Sequence, residues 1–348
     1  MKFFKKITAV FLSTVLLAAS AGCAGKPAES SQQPVISESQ SSETPIEKPK
    51  LRIGAIKGPT GLGLLQVMEK NDADEADNHY EFTVVGSPDE IVSKLTTGEL
   101  DAAAVPTNLA ATLYNKTEGK IQLTAINTLG VLYLVTNGEE IADIADLKGK
   151  TIYSSGQGAA PEYALNYILA ANGLTDDVKV EYLSEHAELA SQVIAGKISI
   201  AVLPEPFVTQ VTTKNEQAKA ALDLTKEWDK AVALNKDGSS VLTMGSLVVR
   251  RDFAQENEEA FDHFLAEYRA SVDYVNKNPE KAAALSEKYD IMAAAVAEKA
   301  IPNCNIVFID GTEMKAKAAD FLKILHGYNP KSVGGTLPKD DFYYIYTG

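Results

Sequence analysis

The stretch LRIGAIKGPTGLGLLQVME, residues 51–69, decides the fold. Its apolar side chains alternate from Leu51 to Ala55, which predicts a strand. Gly-Pro-Thr-Gly at 58–61 predicts a tight turn, and the apolar spacing from Leu62 onward predicts a helix. A helix start presents free backbone N–H groups and the positive end of the helix dipole. Because glycines let a ligand approach the backbone closely, we expect this turn to hold an anionic or acceptor-rich small molecule.

The order of strand, turn and helix that begins here occurs twice along the chain. Strands are predicted at 80–86, 100–106 and 121–127 in the first pass and at 151–155, 178–183 and 198–204 in the second, with helices between them. An extended run at 130–138 joins the passes. Strands that alternate with helices through short connections favour mostly parallel sheets flanked by helices. The sequence therefore predicts two α/β lobes of similar plan.

The segment after the second pass predicts a return to the first lobe. SLVVRRD at 246–252 has the pattern of a strand, and the residues beyond it are mostly helical in pattern. We expect the chain to cross between the lobes near 136–141 and again near 242–247. Lobe I would then hold 51–138 and 245–348, and lobe II would hold 139–244. Two crossing segments form a hinge with a cleft beside it.

Residues 1–22 have the features of a secretory signal peptide. Three lysines precede an apolar run at 7–19, which is short for a membrane-spanning helix, and small residues follow. The Ala-Gly-Cys that ends the leader resembles a bacterial lipoprotein signal. That resemblance implies that Cys23 is lipidated, becomes the new N-terminus, and holds the protein on the extracytoplasmic face of the membrane. Ordinary secretion with a free thiol at Cys23 is the alternative.

The segment behind Cys23 and the charge of the chain limit the function classes. Residues 24–50 are rich in Ser, Pro, Gln and Glu, so we expect a disordered linker over 23–50. The leader holds three lysines and no acidic residue, so its removal takes the formal net charge from −14 to −17. Such acidity argues against binding to nucleic acid. Cys304 is the only other cysteine, and we expect a small buried residue without a disulfide partner.

Five stretches in order carry a family resemblance over essentially all of 51–348. They are LRIGAIKGPTG (51–61), KLTTGELDAAAVPTN (94–108), IADIADLKGKTI (141–152), VIAGKISIAVLPEPF (193–207), and VVRRDF with ENEEAFDHFLAEY (248–268). Together they resemble the solute-binding proteins of ABC importers of the nitrate/sulfonate/taurine and thiamine-precursor type. The resemblance implies a two-lobed type-2 periplasmic-binding fold. It also implies delivery of a solute to a membrane permease driven by a separate ATPase.

The ligand cleft should be lined by the turns that follow the strands, at the carboxyl ends of both sheets. Polar side chains and glycines in those turns are the candidate ligand-binding residues. They are Lys57, Thr60, Gly61, Thr107, Asn108 and Asn127 in lobe I, and Ser155, Gln157, Gly158, His186 and Glu205 in lobe II.

Several candidates have a plainer alternative that the sequence leaves open. The glycines at 58–61 can serve the turn alone. Thr107 and Asn108 can form an N-cap pair of the following helix. Lys57 can be a solvated charge at a strand end, and His186 can be a surface residue of a turn.

Glu205 is the most informative candidate. It stands between two prolines on a stiff backbone, where the family often has an aromatic residue, and this departure argues against a simple inorganic anion. A carboxylate facing the cleft requires a donor, which an amine or ring N–H of the ligand would supply. The alternative is an acidic residue at a helix N-terminus, stabilised by the helix dipole.

The sequence gives little support for catalysis or for a cofactor. The four histidines are scattered without metal-ligand spacing, and there is no Gly-x-Ser-x-Gly motif. The glycines at 58–63 match neither a phosphate-binding loop nor a dinucleotide fingerprint. We therefore expect a binding protein, acting as a monomer, without metal or cofactor. Two alternatives remain: an enzyme on the same fold, similar to thiamine-pyrimidine synthases, and a ligand-sensing lipoprotein that does not transport.

Overall fold

The computed structural model describes residues 48–236, 238 and 240–345. The predicted signal peptide at 1–22, the lipidation site Cys23 and the linker up to residue 47 lie outside the described residues. The described residues belong to one compact unit. No helix in the described part of the chain combines the length and the apolar character needed to cross a bilayer.

Strands and helices alternate as the sequence predicts through most of the described chain. The strands are β1 (Lys50–Ile56), β2 (His79–Val85), β3 (Ala102–Pro106), β4 (Ile121–Leu129), β5 (Leu132–Asn137), β6 (Thr151–Ser155), β7 (Lys179–Leu183), β8 (Ile200–Pro204), β9 (Ala218–Asp223), β10 (Thr243–Arg250) and β11 (Ile306–Ile309).

The helices cover both faces of the sheets. They are α1 (Pro59–Leu62), α2 (Leu65–Asp72), α3 (Pro88–Thr97), α4 (Thr107–Lys116), α5 (Ala160–Ala171), α6 (His186–Ile194), α7 (Phe207–Lys214), α8 (Leu224–Asn235), α9 (Arg251–Glu256), α10 (Glu258–Lys277), α11 (Pro279–Lys288), α12 (Ala294–Ala300) and α13 (Gly311–Tyr328), with short 3-10 turns between some of them.

Two sheets organise these elements. One has the strand order β11-β4-β10-β3-β1-β2, and the other has the order β7-β6-β8-β5-β9. The pairs of β1 with β2 and β3 are parallel, as are those of β6 with β7 and β8. The predicted class of two α/β sheets flanked by helices is confirmed.

The expectation of mostly parallel sheets needs a correction. Strands β10 and β11 join the first sheet antiparallel to their neighbours, and β5 joins the second sheet antiparallel to both β8 and β9. β5 takes the chain into the second sheet and β10 brings it back to the first, and both run against the strands that are built in sequence. Each sheet is therefore mixed.

The first crossing lies earlier than the sequence indicates. The chain leaves the first sheet at Leu129 and enters the second at Leu132, before the expected position near 136–141. β5 falls within the residues assigned to lobe I, yet its backbone bonds to β8 and β9. The sequence shows one extended run here but not which sheet the run joins. The chain returns at Thr243, where the second crossing was expected.

Two strands and one helix were not predicted. The segment Ala218–Asp223, with sequence AKAALD, forms β9 although its composition favours a helix. Its pairing with β5 overrides that preference. The helix α8 that follows, and the short strand β11, were not predicted either, although Asp223 caps α8 and β11 is the apolar run IVFI.

The buried apolar residues lie on both faces of each sheet. One cluster lies under α2, α10, α11 and α12 and includes Phe264 and Cys304. Another lies under α6 and α7 in the second sheet. A further cluster extends from the first sheet to the second, where Phe321 of α13 packs on Trp228 of α8 with ring centroids 5.6 Å apart. The two sheets therefore share buried apolar packing.

Candidate functional site

The turn after β1 has the backbone that its glycines predict. Gly58 adopts a φ of 126°, which side chains other than glycine rarely adopt, and α1 starts directly after it. A methyl group at Gly61 would lie 2.8 Å from the carbonyl oxygen of Ile56. Both glycines are therefore required by the turn itself, whether or not a ligand contacts it.

Thr60 and Asn127 are brought together at the end of the first sheet. Nδ2 of Asn127 donates to the carbonyl oxygen of Thr60 over 3.5 Å. A methyl group at Gly245 of β10 would lie 2.4 Å from Oδ1 of Asn127 and 2.5 Å from Cγ2 of Thr60. Gly245 thus lets these two residues meet. Sequence analysis missed it, although a glycine inside a strand pattern is a known signal of close approach.

Thr107 and Asn108 do not form the N-cap pair that was one alternative. Pro106 occupies the N-cap of α4, and no side chain caps this end. The buried hydroxyl of Thr107 lies 2.7 Å from that of Ser246 in β10. Asn108 donates from Nδ2 to the carbonyl oxygen of Ser332 over 3.3 Å. Its Oδ1 is buried and has no hydrogen-bond partner among the described residues.

Lys57 is paired within its own half of the molecule. Its Nζ lies 2.6 Å from Oδ2 of Asp290, and both side chains are exposed. Lys57 is the only lysine or arginine among the eleven predicted site residues. The structure therefore favours the alternative of a surface charge for this residue.

Ser155 and His186 meet at the carboxyl ends of β6 and β7. Oγ of Ser155 lies 2.5 Å from Nδ1 of His186, and the imidazole ring packs on Phe207 with centroids 5.5 Å apart. Burial lowers the pKa of His186 to about 4, so the ring is neutral near pH 7. His186 is therefore held between two side chains rather than standing free in a turn.

Glu205 is buried and caps a helix. Its side chain is 3% exposed, and the Glu205–Pro206 peptide is cis. Oε2 accepts from the backbone N–H of Thr209, and Oε1 accepts from the Thr209 hydroxyl, each over 3.0 Å. Burial raises the pKa of the Glu205 carboxyl, and the two bonds from Thr209 oppose that rise. The structure thus shows the helix-terminus alternative directly.

Gln157 and Gly158 lie in the exposed loop between β6 and α5. The backbone N–H of Gly158 donates to Oε2 of Glu162 over 2.5 Å, which ties the loop to the first turn of α5.

The predicted residues thus form two groups and several separate positions. Thr60 and Asn127 meet in the first sheet, with Thr107 bonded to Ser246, the neighbour of Gly245. Ser155 and His186 meet in the second sheet, and the His186 ring packs on Phe207, which follows Glu205 by two residues. Contacts elsewhere engage Lys57, Asn108 and Gly158. The residues that sequence analysis missed are Phe207, Gly245, Ser246 and Ser332. In the described residues, no group of three or more His, Cys, Asp or Glu could hold a metal ion.

The comparisons with known proteins agree with this architecture. Residues 119–282 match the family model described as NMT1/THI5 like. The structure is similar to that of an ABC transporter from Parabacteroides distasonis, with 26% identity and a TM-score of 0.71 over 84% of this chain and 98% of that one. No curated protein matches the chain.

Two further structures share the fold at lower identity. The periplasmic aliphatic sulphonate binding protein SsuA from Escherichia coli has 16% identity and a TM-score of 0.66, over 86% of this chain and 92% of that one. The periplasmic nitrate-binding protein NrtA from Synechocystis PCC 6803 has 16% identity and a TM-score of 0.57, over 81% and 82%. The resemblance inferred from the five sequence stretches is thus confirmed: the central residues match the NMT1/THI5-like family, and the chain has the fold of the sulphonate- and nitrate-binding proteins of ABC transporters.

Proposed function

We propose that this protein is the extracytoplasmic solute-binding subunit of an ABC importer, which captures a small solute between two lobes and delivers it to a permease. The observation that carries the proposal is that polar groups gather at the carboxyl ends of strands in both sheets: Thr60 and Asn127 in one, Ser155 and His186 in the other. Ligands of open α/β sheets bind at these edges.

The charges at these positions favour a solute that is recognised through hydrogen bonds. Lys57 is paired with Asp290, and His186 is neutral near pH 7. The Glu205 carboxylate already accepts hydrogen bonds from Thr209. Hydroxyl groups and backbone N–H groups are left as the donors, and the Asn108 oxygen is an acceptor. We propose a small anionic, zwitterionic or heterocyclic solute with both donor and acceptor groups.

Mass spectrometry of solute carried through native purification tests the proposal most directly. Thermal-shift screening of sulfonates, nitrate, pyrimidines and flavins complements it, because a ligand at 100 times its Kd stabilises the folded state by about 2.7 kcal/mol. We expect Thr60→Ala and Ser155→Ala to reduce the shift given by the stabilising compound. The matched control is Thr96→Ala, whose hydroxyl bonds only to its own helix. If no compound stabilises the protein and none is carried through, the proposal is wrong.

The location on the membrane is a separate part of the proposal. We propose that Cys23 carries the lipid anchor and that the folded part acts as a monomer beside the permease and its ATPase. The linker expected over 23–50 is shorter than the sequence indicates, because Lys48 pairs with Asp74 and β1 begins at Lys50, so we propose that it ends before Lys48. Labelling of cells with a palmitate analogue would mark the wild-type protein and leave Cys23→Ser unmarked. Label on the Cys23→Ser variant would contradict the assignment.

An enzyme on the same fold is the second candidate, and it rests on the family description that covers the central residues. A thiamine-pyrimidine-synthase-like enzyme would require a lysine carrying pyridoxal phosphate. An absorbance band of the Schiff base in the purified protein would support the enzyme. Solute retention without that band would support the importer subunit.

A further inference from the structure

The short segment Asn303–Asn305 reaches from the first sheet toward the second. It lies between α12 and β11, both of which belong to the half of the molecule built around the first sheet. Asn303 lines a groove of about 540 Å³ together with Tyr133 and Asp223 of the second sheet. Cys304 is fully buried. Three consecutive residues thus lie where the two halves meet.

Asn305 forms hydrogen bonds to the first crossing of the chain. Its Nδ2 donates to the carbonyl oxygen of Gly130 over 2.5 Å, and its own carbonyl oxygen accepts from the backbone N–H of Leu129 over 3.1 Å. Leu129 ends β4 and Gly130 follows it directly. Asn305 therefore binds both residues at which the chain leaves the first sheet.

The second half holds the same crossing from the other side. A methyl group at Gly130 would lie 2.0 Å from Oγ1 of Thr225, so Thr225 packs directly on the Gly130 backbone. The backbone N–H of Glu205 donates to the carbonyl oxygen of Val131 over 2.9 Å. The crossing at 129–131 is thus clamped between Asn305 on one side and the start of α8 and the end of β8 on the other.

Asn305 holds this position with a backbone that few residues adopt. Its φ is +41°, in the left-handed region where asparagine is enriched and most other residues are strained. The side chain stays exposed, whereas Gly130 is buried. Hydrophobic burial therefore does not explain why an asparagine stands at this position. The hydrogen bond of its side-chain amide and its tolerance of a positive φ explain it.

We propose that Asn305 is a positioning residue that sets the angle between the two sheets by fixing the crossing at Gly130. When the hydrogen bond from the Asn305 side-chain amide to Gly130 is lost, the crossing bends more freely and the two halves separate more often. The inference goes beyond solute capture, since it holds for the protein without any solute.

Cys304 supplies the readout. Its thiol lies in the electrostatic field of Glu205, which belongs to the other half, and burial together with that carboxylate raises the thiol pKa. Because Cys304 is fully buried, its thiol reacts with an alkylating reagent only when the structure around the segment 303–305 opens or the protein unfolds. The rate of alkylation of Cys304 by N-ethylmaleimide, read peptide by peptide in the full chain so that Cys23 does not contribute, measures this opening.

We expect Asn305→Ala to raise the rate of Cys304 alkylation about fivefold, the factor that corresponds to one net hydrogen bond. Asn305→Gly, which adopts a positive φ easily but lacks the amide, should give a similar rise. The matched control is Asn78→Ala. It removes a buried hydrogen bond of 2.9 Å from the Asn78 side-chain amide to the Ala260 carbonyl oxygen, within the first half. In Asn78→Ala, the rate of Cys304 alkylation should rise only by the amount that its lower unfolding free energy, measured in denaturant, accounts for.

Two results would overturn the proposal. An unchanged alkylation rate in Asn305→Ala would show that the amide does not hold the halves together. Slow alkylation retained in Asn305→Gly but lost in Asn305→Ala would show that the backbone conformation, and not the bond to Gly130, is what matters.

Discussion

At the scale of single residues, Glu205 shows how a binding group and a structural group can share one sequence signal. A carboxylate between two prolines predicts a fixed acidic group, but it does not reveal the partner. The structure supplies that partner in Thr209, which occupies both carboxylate oxygens. Glu205 therefore stabilises the first turn of α7 while it is almost completely buried.

The titration of Glu205 gives a first prediction. Its folded-state pKa is raised by burial, so the folded protein holds the proton more tightly than the unfolded chain. The carboxyl therefore adds stability below its ordinary pKa of about 4.3 and loses that contribution as the pH rises through the folded-state value. We expect the unfolding free energy of wild type minus that of Glu205→Gln to fall as the pH rises above about 4.3. Denaturant titrations at several pH values measure it, and a difference that rises with pH would contradict the assignment.

His186 gives the opposite dependence. Burial lowers its pKa to about 4, so between about pH 4 and pH 6.5 the imidazole is protonated in the unfolded chain but neutral in the folded protein. Stability that is present above the ordinary pKa of about 6.5 is lost as the pH falls toward 4, by about 3 kcal/mol in total. We expect His186→Gln, which keeps a polar partner for Ser155, to flatten this part of the pH profile. The chain has four histidines, so the His186 resonance is identified as the one missing from His186→Gln. A His186 resonance that titrates near 6.5 would show that the ring is not buried as described.

At the scale of elements, β10 explains why part of the candidate site could not be found from sequence. The strand–turn–helix order predicted the positions of Thr60, Thr107 and Ser155, because periodicity and turn residues are local signals. Gly245 lies against Thr60, and Ser246 bonds to Thr107, only through antiparallel pairing of β10 with β3 and β4, which brings together residues more than 100 positions apart. Pairing at that distance leaves no local pattern, and the same reason accounts for the missed strand β9.

Gly245→Ala tests the close approach of Thr60 and Asn127. The added methyl group would overlap Oδ1 of Asn127 and Cγ2 of Thr60, so these side chains must shift. We expect a loss of about 1–3 kcal/mol in unfolding free energy from overpacking, with at least tenfold weaker binding of the solute found in the screen.

The control for this variant is Gly86→Ala. A methyl group there meets no atom within 4 Å, and its backbone is not in the left-handed region. Equal effects of the two substitutions on binding would remove Gly245 from the site.

At the scale of the whole molecule, the two-sheet plan followed from the repeated order of elements, but the apolar packing between the sheets did not. Phe321 of α13 and Trp228 of α8 are both fully buried, and their rings are in contact. The sequence predicted that the residues after 252 are mostly helical, without showing which sheet these helices cover. The position of the first crossing at 129–132 was missed for a related reason, since an extended run carries no mark of its partner strand.

Phe321→Ala tests this shared packing. Removing a buried phenylalanine ring leaves a cavity, and we expect a loss of about 3–5 kcal/mol in unfolding free energy. Trp228 is the only tryptophan of the chain, so all tryptophan emission comes from this position and should shift to longer wavelength. Phe264→Ala, in the other core cluster, should cost a similar free energy and leave the emission of the folded protein unchanged. A shift in both variants would indicate general loosening instead.

The place of α13 in the chain has a consequence for biosynthesis. This helix is made after all eleven strands of the two sheets in the described chain, yet it covers apolar surface that α8 contributes much earlier. A nascent polypeptide that ends at Asp310 leaves the indole of Trp228 without its neighbour from α13. Folding to the native state therefore requires this late helix. Until α13 has been synthesised, the nascent chain exposes an apolar surface of the kind that chaperones bind.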